Sequence, residues 1–156
     1  MLSTTTVLLI LHALVGVALL GAITHQLVSA LRQPSPARGA SFFARYSGVN
    51  QRTFVVAVVS LYLVQIVLGA LVYPAYRLNV RIPFEEMGAI SAIGLFESKE
   101  HFAGIGTGLL PFYAWLWRPE ADAHGRDRIA ITALLACIVW WDFLVGHILN
   151  NLRGLA

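Results

Sequence analysis

Four long apolar stretches, separated by shorter polar segments, dominate the pattern of this chain. They cover residues 5–31, 54–73, 97–117 and 129–152. Each approaches the ~20 residues that a helix needs to cross about 30 Å of hydrocarbon. The uninterrupted apolar part of the third is only 102–117, so it reaches that length only if residues 93–96 or the charged segment from 97 belong to the same helix. The pattern predicts an all-α integral membrane protein, in which residues 1–156 form a single domain built as an up-down four-helix bundle.

The polar segments between these stretches predict the connections. Prolines and a glycine in RQPSPARGA end the first helix and open a cytoplasmic loop over 32–53. Within it, SFFARYSGVNQR is amphipathic enough to lie along the membrane interface. Pro74 is expected to end the second helix and to open an outer loop over 74–96. That long segment is expected either to fold back onto the bundle or to dock other subunits.

Composition narrows the class of protein. Only 12% of the residues are charged and 58% are hydrophobic, whereas soluble domains average about a quarter charged residues. The first stretch is longer than the apolar core of a signal peptide, and MLSTTT lacks its basic start, so we expect a retained helix. The single cysteine, Cys137, can form no intrachain disulfide. No basic patch points to nucleic acid, and the lipid bilayer is the first partner expected.

The distribution of basic residues predicts the orientation, because cytoplasmic segments carry an excess of Lys and Arg. One side has seven basic residues, which are Arg32, Arg38, Arg45, Arg52, Arg118, Arg126 and Arg128. The other has four, which are Arg77, Arg81, Lys99 and Arg153. Both termini are therefore expected on the outer (periplasmic) side of a bacterial-type inner membrane, with the chain crossing it several times.

Three histidines fall at a similar predicted depth below the outer surface. His12 lies roughly 10 Å into the first helix, at 1.5 Å per residue. His101 near the start of the third helix and His147 near the end of the fourth lie at a similar level. Because imidazole is a common metal ligand, His12, His101 and His147 are candidate ligands of a haem iron held between helices. Each could instead serve only in helix contacts.

Neighbouring residues fit the same hypothesis. Gly16 near His12, and Gly104 and Gly108 near His101, would leave room for a flat cofactor, although small residues also serve plain helix packing. Glu97 precedes His101 by one turn and could accept its imidazole N–H. Lys99 and Arg77 could pair with haem propionates. The alternative for FESKEH is a charged cap at the start of a helix.

Other polar residues within the apolar stretches predict a polar network. Tyr62, Gln65, Gly69 and Tyr73 share one face of the second helix. Asp142 is the most costly residue to place in hydrocarbon; it could bond Gln65, Tyr62 or a histidine of the first helix, or help to carry protons. His25 on the first helix is a candidate for hydrogen bonding or quinone contact, and a second haem there is the less favoured reading.

The four-span layout and the positions of these three histidines resemble the class of small four-helix membrane b-type cytochromes. The resemblance implies haem b between transmembrane histidines and electron transfer between quinones and a partner. Two-haem members usually carry paired histidines on two helices, and this chain departs from that pattern.

The sequence thus favours a haem b subunit that relays electrons within a respiratory or other redox complex, with partners docking at residues 74–96. An electron-transfer subunit is favoured over a free-standing enzyme, since no nucleophile–base pair and no phosphate-binding loop is present. Two alternatives stay open. One is a cofactor-free structural or anchoring subunit, and the other is a non-haem metal enzyme that uses Glu97, Glu100, His101 and His147.

Overall fold

A computed structural model describes residues 3–31 and 51–155, and every regular element in these ranges is helical. The elements are α1 (Thr4–Leu31), α2 (Thr53–Tyr76), a π-helical turn (Arg77–Arg81), α3 (Ile82–Glu86), α4 (Ile90–Leu116), a 3₁₀ turn (Pro119–His124) and α5 (Gly125–Leu155). The all-α prediction is confirmed, and three of the four long helices begin and end within a few residues of the predicted bounds. The amphipathic segment and most of the predicted cytoplasmic loop, 32–50, lie outside the described residues.

Three helices are long and apolar enough to cross a membrane: α1, α2 with its continuation, and α5. Their outward faces carry large apolar side chains, such as Leu14, Val56 and Leu144, which are 62%, 72% and 47% exposed. Soluble monomers rarely expose such extended apolar surface. Contact with a lipid bilayer accounts for it.

The four long helices pack with alternating directions. Helix α1 packs against α2 and α5, and α4 packs against α5 and α2. His12, early in α1, contacts Gln65 in α2. Gln26, further along α1, bonds to Gln51 just before α2 begins. The two helices are therefore antiparallel. The ends of the bundle that hold Thr4 and Ile90 therefore lie on the same side, called the outer end below.

The predicted outer loop over 74–96 is wrong, because most of this segment is helical. Pro74 lies inside α2 instead of ending it, and the helix continues through the π-helical turn into α3. A proline removes one backbone donor and crowds the preceding turn, and a local π-type widening is one way in which a helix accommodates such a break. The third long helix accordingly begins at Ile90 rather than at residue 97.

Gly88 reverses the chain between α3 and α4. Its φ of +67° is left-handed, a conformation that costs little only for glycine. The amide of Ala89 donates to Phe84 O at 2.8 Å and that of Gly88 to Glu85 O at 3.1 Å. These two bonds form a Schellman motif, which satisfies the last carbonyls of α3. The reversal lets α4 start close to the outer end of the bundle.

The apolar core has two parts. The larger one fills the middle and inner end of the bundle, with Ile23, Val58, Tyr113 and Leu135 almost fully buried. The smaller one lies at the outer end, where α3 and its neighbours pack against α4 and α5; its buried members are Val80, Phe84, Ala92, Val145 and Leu149. The segment after Pro74 is therefore packed onto the bundle.

An arginine and an aspartate organise the inner end. Arg128 donates to Leu116 O at 2.8 Å and to Ala121 O at 3.1 Å, which caps the end of α4. Asp122 in the 3₁₀ turn accepts from Arg52 at 2.6 Å and from Arg128 at 2.9 Å. The two guanidinium groups, Arg52 foremost, hold the pKa of the Asp122 carboxyl below its ordinary value. The link between α2 and the 3₁₀ turn thus remains charged at neutral pH.

Candidate functional site

Each long helix contributes polar side chains to one level in the outer half of the bundle. We call this group the outer polar cluster; it consists of His12 on α1, Tyr62 and Gln65 on α2, Lys99 on α4 and Asp142 on α5. Ionisable groups inside a membrane helix are rare and usually serve a site or pathway. The cluster is therefore the candidate functional site.

His12 and Gln65 link α1 to α2. The amide nitrogen of Gln65 and Nε2 of His12 are 3.1 Å apart. Two glycines make room for this pair. A Cβ at Gly69 would lie 3.5 Å from the His12 ring, and one at Gly16 would lie 3.2 Å from Gln65 Nε2. Gly16, expected to make room for haem, instead receives the Gln65 amide.

Lys99 and Asp142 bring opposite charges to the cluster. The half-buried Lys99 interacts electrostatically with Asp142 and with His12. Its aliphatic stem crosses α5 at Gly146, where a Cβ would lie 3.8 Å from Lys99 Cε. The ammonium also lies 5.8 Å from the centre of the Phe96 ring. Lys99 therefore points along the bundle interior and not away from it.

Tyr62 forms the inner boundary of the cluster. Its side chain is only 3% exposed, and its hydroxyl donates to Ala103 O at 3.1 Å. A Cβ at residue 106 would overlap this hydroxyl, so only glycine fits at Gly106 while Tyr62 keeps its position. The hydroxyl also interacts electrostatically with Asp142. The hydrogen bond considered for Asp142 with Gln65, Tyr62 or a histidine of α1 is not made by its Oδ1, which has no hydrogen-bond partner among the described residues.

Three polar atoms of the cluster have no hydrogen-bond partner within the described protein. They are His12 Nδ1, Gln65 Oε1 and Asp142 Oδ1, and each is shielded from the surface. Buried polar atoms in native proteins are almost always paired, with protein or with water. These three atoms, from three helices, are the groups of the cluster that are open to a further hydrogen bond.

The other two histidines of the proposed ligand set do not join His12. His101 and His147 are exposed on the bundle surface, whereas His12 is directed inward. His101 Nδ1 bonds to the backbone carbonyl of Glu97 at 2.7 Å, not to its carboxylate. The Glu97 carboxylate instead pairs with Arg81 Nη2 at 3.4 Å. A similar depth predicted from residue counting does not bring these side chains together, since two of the three are exposed.

The remaining candidates are dispersed. Gly104 and Gly108 have no atom within 4 Å of an added Cβ, so they face outward with His101. Arg77 is exposed in the π-helical turn. His25 packs against Phe54, with ring centroids 4.7 Å apart, towards the inner end of the bundle. None of these four residues belongs to the outer polar cluster.

The described residues do not supply two histidines to a haem within the bundle. A bis-histidine haem needs a second inward-facing imidazole opposite His12, and neither His101 nor His147 supplies it. Among residues 3–31 and 51–155, no group of three or more His, Cys, Asp or Glu side chains could hold a metal ion. The set Glu97, Glu100, His101 and His147, considered for a non-haem metal, is not brought together.

The inward role of Lys99 is the feature that sequence reasoning missed. The sequence predicts that Lys99 pairs with haem propionates, because the residue lies in a charged run at the start of a predicted helix. Its spacing carried the correct signal, since Lys99, Gly106 and Tyr113 recur every seven residues and so share a helix face. Gly106 and Tyr113 are both buried.

Comparison with protein-family models, with curated proteins and with solved structures gives no match for this chain.

Proposed function

We propose that the protein is a four-span subunit of a membrane redox complex, and that its outer polar cluster exchanges protons in support of electron transfer. The observation that carries the proposal is the meeting of His12, Lys99, Asp142 and Tyr62 at one level. These are the side chains that accept or release protons, and they come from all four long helices. A cluster of that kind in a membrane interior is typical of proton relays.

The fourth span of the proposal is α4. It has 27 residues, which at 1.5 Å per residue give about 40 Å, enough to cross a bilayer. It packs mainly against α5 and makes a smaller contact with α2. Both termini then lie on the outer side of a bacterial-type inner membrane, as the excess of arginines at the opposite end supports.

Partner subunits are proposed to dock at the outer end, over residues 74–96. Helical packing of this segment leaves four large apolar side chains exposed there, at Leu78, Ile82, Met87 and Ile90. Ile90, at 76%, is the most exposed of them. A partner carrying the electron-transfer cofactors would cover this surface.

If the complex contains haem b, we place it at an interface with another chain. The exposed His101 or His147 could each offer one axial ligand there, with the second coming from the partner. The internal cluster uses His12 for its bond to Gln65 and is proposed to handle protons, with quinone as the redox partner of the assembled complex.

The test is purification of the full chain from its native membrane in mild detergent, followed by a reduced-minus-oxidised spectrum of everything that copurifies. We expect bands from a redox cofactor, and we expect quinol to reduce it roughly tenfold more slowly in Asp142→Asn. Asp127→Asn, at the exposed start of α5, is the matched control and should behave like wild type. A preparation with no redox cofactor in any copurifying subunit would overturn the proposal.

A purely structural subunit is the second candidate, because several polar side chains tie helices together. Trp140 donates to Thr24 at 3.0 Å, and Tyr113 donates to Gln26. On that reading Asp142→Asn should leave quinol-dependent reduction unchanged in an intact complex, and the same experiment therefore separates the two functions.

A further inference from the structure

We infer that the outer polar cluster is a hydrated half-channel, which admits water and protons from the outer face and is closed towards the inner side by Tyr62 packed on Gly106. The inference deepens the proposed function and rests on it for the use made of the protons. The access of water rests on geometry alone.

The hydrogen-bond inventory of the His12–Gln65 pair points to water. If the Gln65 amide nitrogen donates to His12, the pair leaves a donor on His12 and an acceptor on Gln65. If the amide is turned over, the pair leaves an acceptor on His12 and a donor on Gln65. One donor and one acceptor stay unpaired in either case, and Asp142 Oδ1 adds a third site.

Water satisfies this inventory better than an oxidised quinone or a simple ion does. An oxidised quinone offers only acceptors at its carbonyl oxygens, so it would leave the unpaired acceptor unsatisfied. A simple anion or cation would be bound by an excess of one charge, whereas Lys99 and Asp142 offset each other. Water both donates and accepts, and it typically makes about three hydrogen bonds in a buried polar site.

Lys99 and its neighbour Glu100 connect the cluster to the outer face. Glu100 is exposed, and it interacts electrostatically with Lys99. Lys99 in turn interacts electrostatically with Asp142 and His12 in the interior. Gly146 leaves space for the Lys99 stem between α4 and α5. Charged and protonatable groups therefore follow one another from the outer surface to the cluster.

The inner side is closed. The Tyr62 hydroxyl is held on Ala103 O and occupies the space that a side chain at Gly106 would need. One turn beyond Gly106 on the same helix, Leu110 is buried at 4% exposure among Leu19, Ile23, Val58 and Leu135. This apolar layer offers water no polar partner, so the path ends at Tyr62.

Single-cysteine labelling tests both halves of the inference. In a Cys137→Ala background, right-side-out vesicles carrying the full chain would be treated from outside with a membrane-impermeant cationic methanethiosulfonate. Because only a thiolate in contact with water reacts, Gly146→Cys should be modified at least tenfold faster than Leu144→Cys. The latter is the matched control, two residues away on the lipid-facing surface. Leu110→Cys should stay unmodified from either side.

Substitutions of Tyr62, which closes the inner side, complete the test. Tyr62→Ala should make Leu110→Cys reactive from outside, whereas Tyr62→Phe, which keeps the ring, should leave it protected. Equal rates for Gly146→Cys and Leu144→Cys would overturn the water-filled path. Reactivity of Leu110→Cys with Tyr62 intact would overturn the closure. Labelling requires no electron transfer, so the half-channel and the redox function can each fail without the other.

Discussion

Asp142 and Lys99 place opposite charges at the same depth, on two helices that pack against each other. Neither residue is fully buried; Asp142 lies in an apolar stretch, whereas Lys99 lies in the charged run that precedes one. An ionised group in a low-dielectric interior is costly to leave alone, and a nearby opposite charge offsets much of that cost. Each of the two therefore makes the other tolerable.

Charge compensation predicts the outcome of a double-mutant cycle. Asp142→Leu and Lys99→Met, made singly, should each lower the free energy of unfolding in detergent by about 1 kcal/mol, because each leaves a partly exposed charge without the nearby opposite charge. The double variant should recover most of that loss. Asp142→Asn should be milder than Asp142→Leu because it keeps hydrogen bonding. Denaturation followed by intrinsic tryptophan fluorescence would measure the cycle, and simple additivity of the two single effects would contradict it.

Residue-level prediction from the sequence failed in the direction of the side chains. Counting residues along a helix places His12, His101 and His147 at one level, but it does not say which way a side chain points. His101 lies opposite the face that Gly106, Leu110 and Tyr113 bury, because 100° per residue carries it to the far side. The shared face of Tyr62 and Gln65 was predictable, since both positions lie on one helix whose register needs no partner.

At the scale of elements, the contact between α2 and α4 depends on one glycine. Gly106 is buried under the Tyr62 ring, whereas Gly104, two positions earlier, faces open space. Close approach of backbones at small residues is the usual way in which membrane helices gain packing contacts.

The two glycines provide a matched pair of substitutions. Gly106→Ala should lower the midpoint of thermal unfolding, with a cost of about 1–3 kcal/mol for overpacking against Tyr62. Gly104→Ala should be neutral or stabilising by up to about 1 kcal/mol, since alanine favours the helix and meets nothing. Tyr62→Phe should partly rescue Gly106→Ala by removing the hydroxyl. Equal effects of the two alanine substitutions would show that α2 and α4 do not approach closely at this point.

The ends of helices were predictable where a change in hydropathy sets them. They were not predictable where the backbone geometry of a proline or glycine sets them. The ends of α1 follow the change from apolar to polar residues. Pro74 looked like the end of α2, but the helix widens into a π-helical turn and continues to Glu86. The true reversal is at Gly88, within a segment that has no marked change in hydropathy. The sequence signal for this reversal is a proline followed by a glycine. Pro83 fits the first turn of α3, and Gly88 fits its left-handed end.

For the whole molecule, the proposed topology can be checked at both ends of the bundle. In the Cys137→Ala background, a cysteine at Asn79, exposed in the π-helical turn, should be labelled only from outside. A cysteine at Ala123, exposed in the 3₁₀ turn, should be labelled only from the cytoplasm. The arginine distribution sets this expectation. The reverse pattern would move the outer polar cluster to the cytoplasmic half of the membrane.

The charged start of α4 bears on how the chain is made. Among the long helices of the described residues, α4 alone is not selected as a candidate membrane span by hydropathy. Its first half carries Glu97, Lys99 and Glu100. A lysine within a span adds to the cost of insertion by the translocon, up to about 3 kcal/mol at the centre. In the proposed topology α4 therefore pauses beside the translocon until α5 is synthesised and Asp142 arrives to offset Lys99. A nascent chain truncated after Trp117 should leave α4 unstably inserted in a glycosylation-mapping assay. The attraction between Lys99 and Asp142 would then also set the order in which the helices enter the membrane.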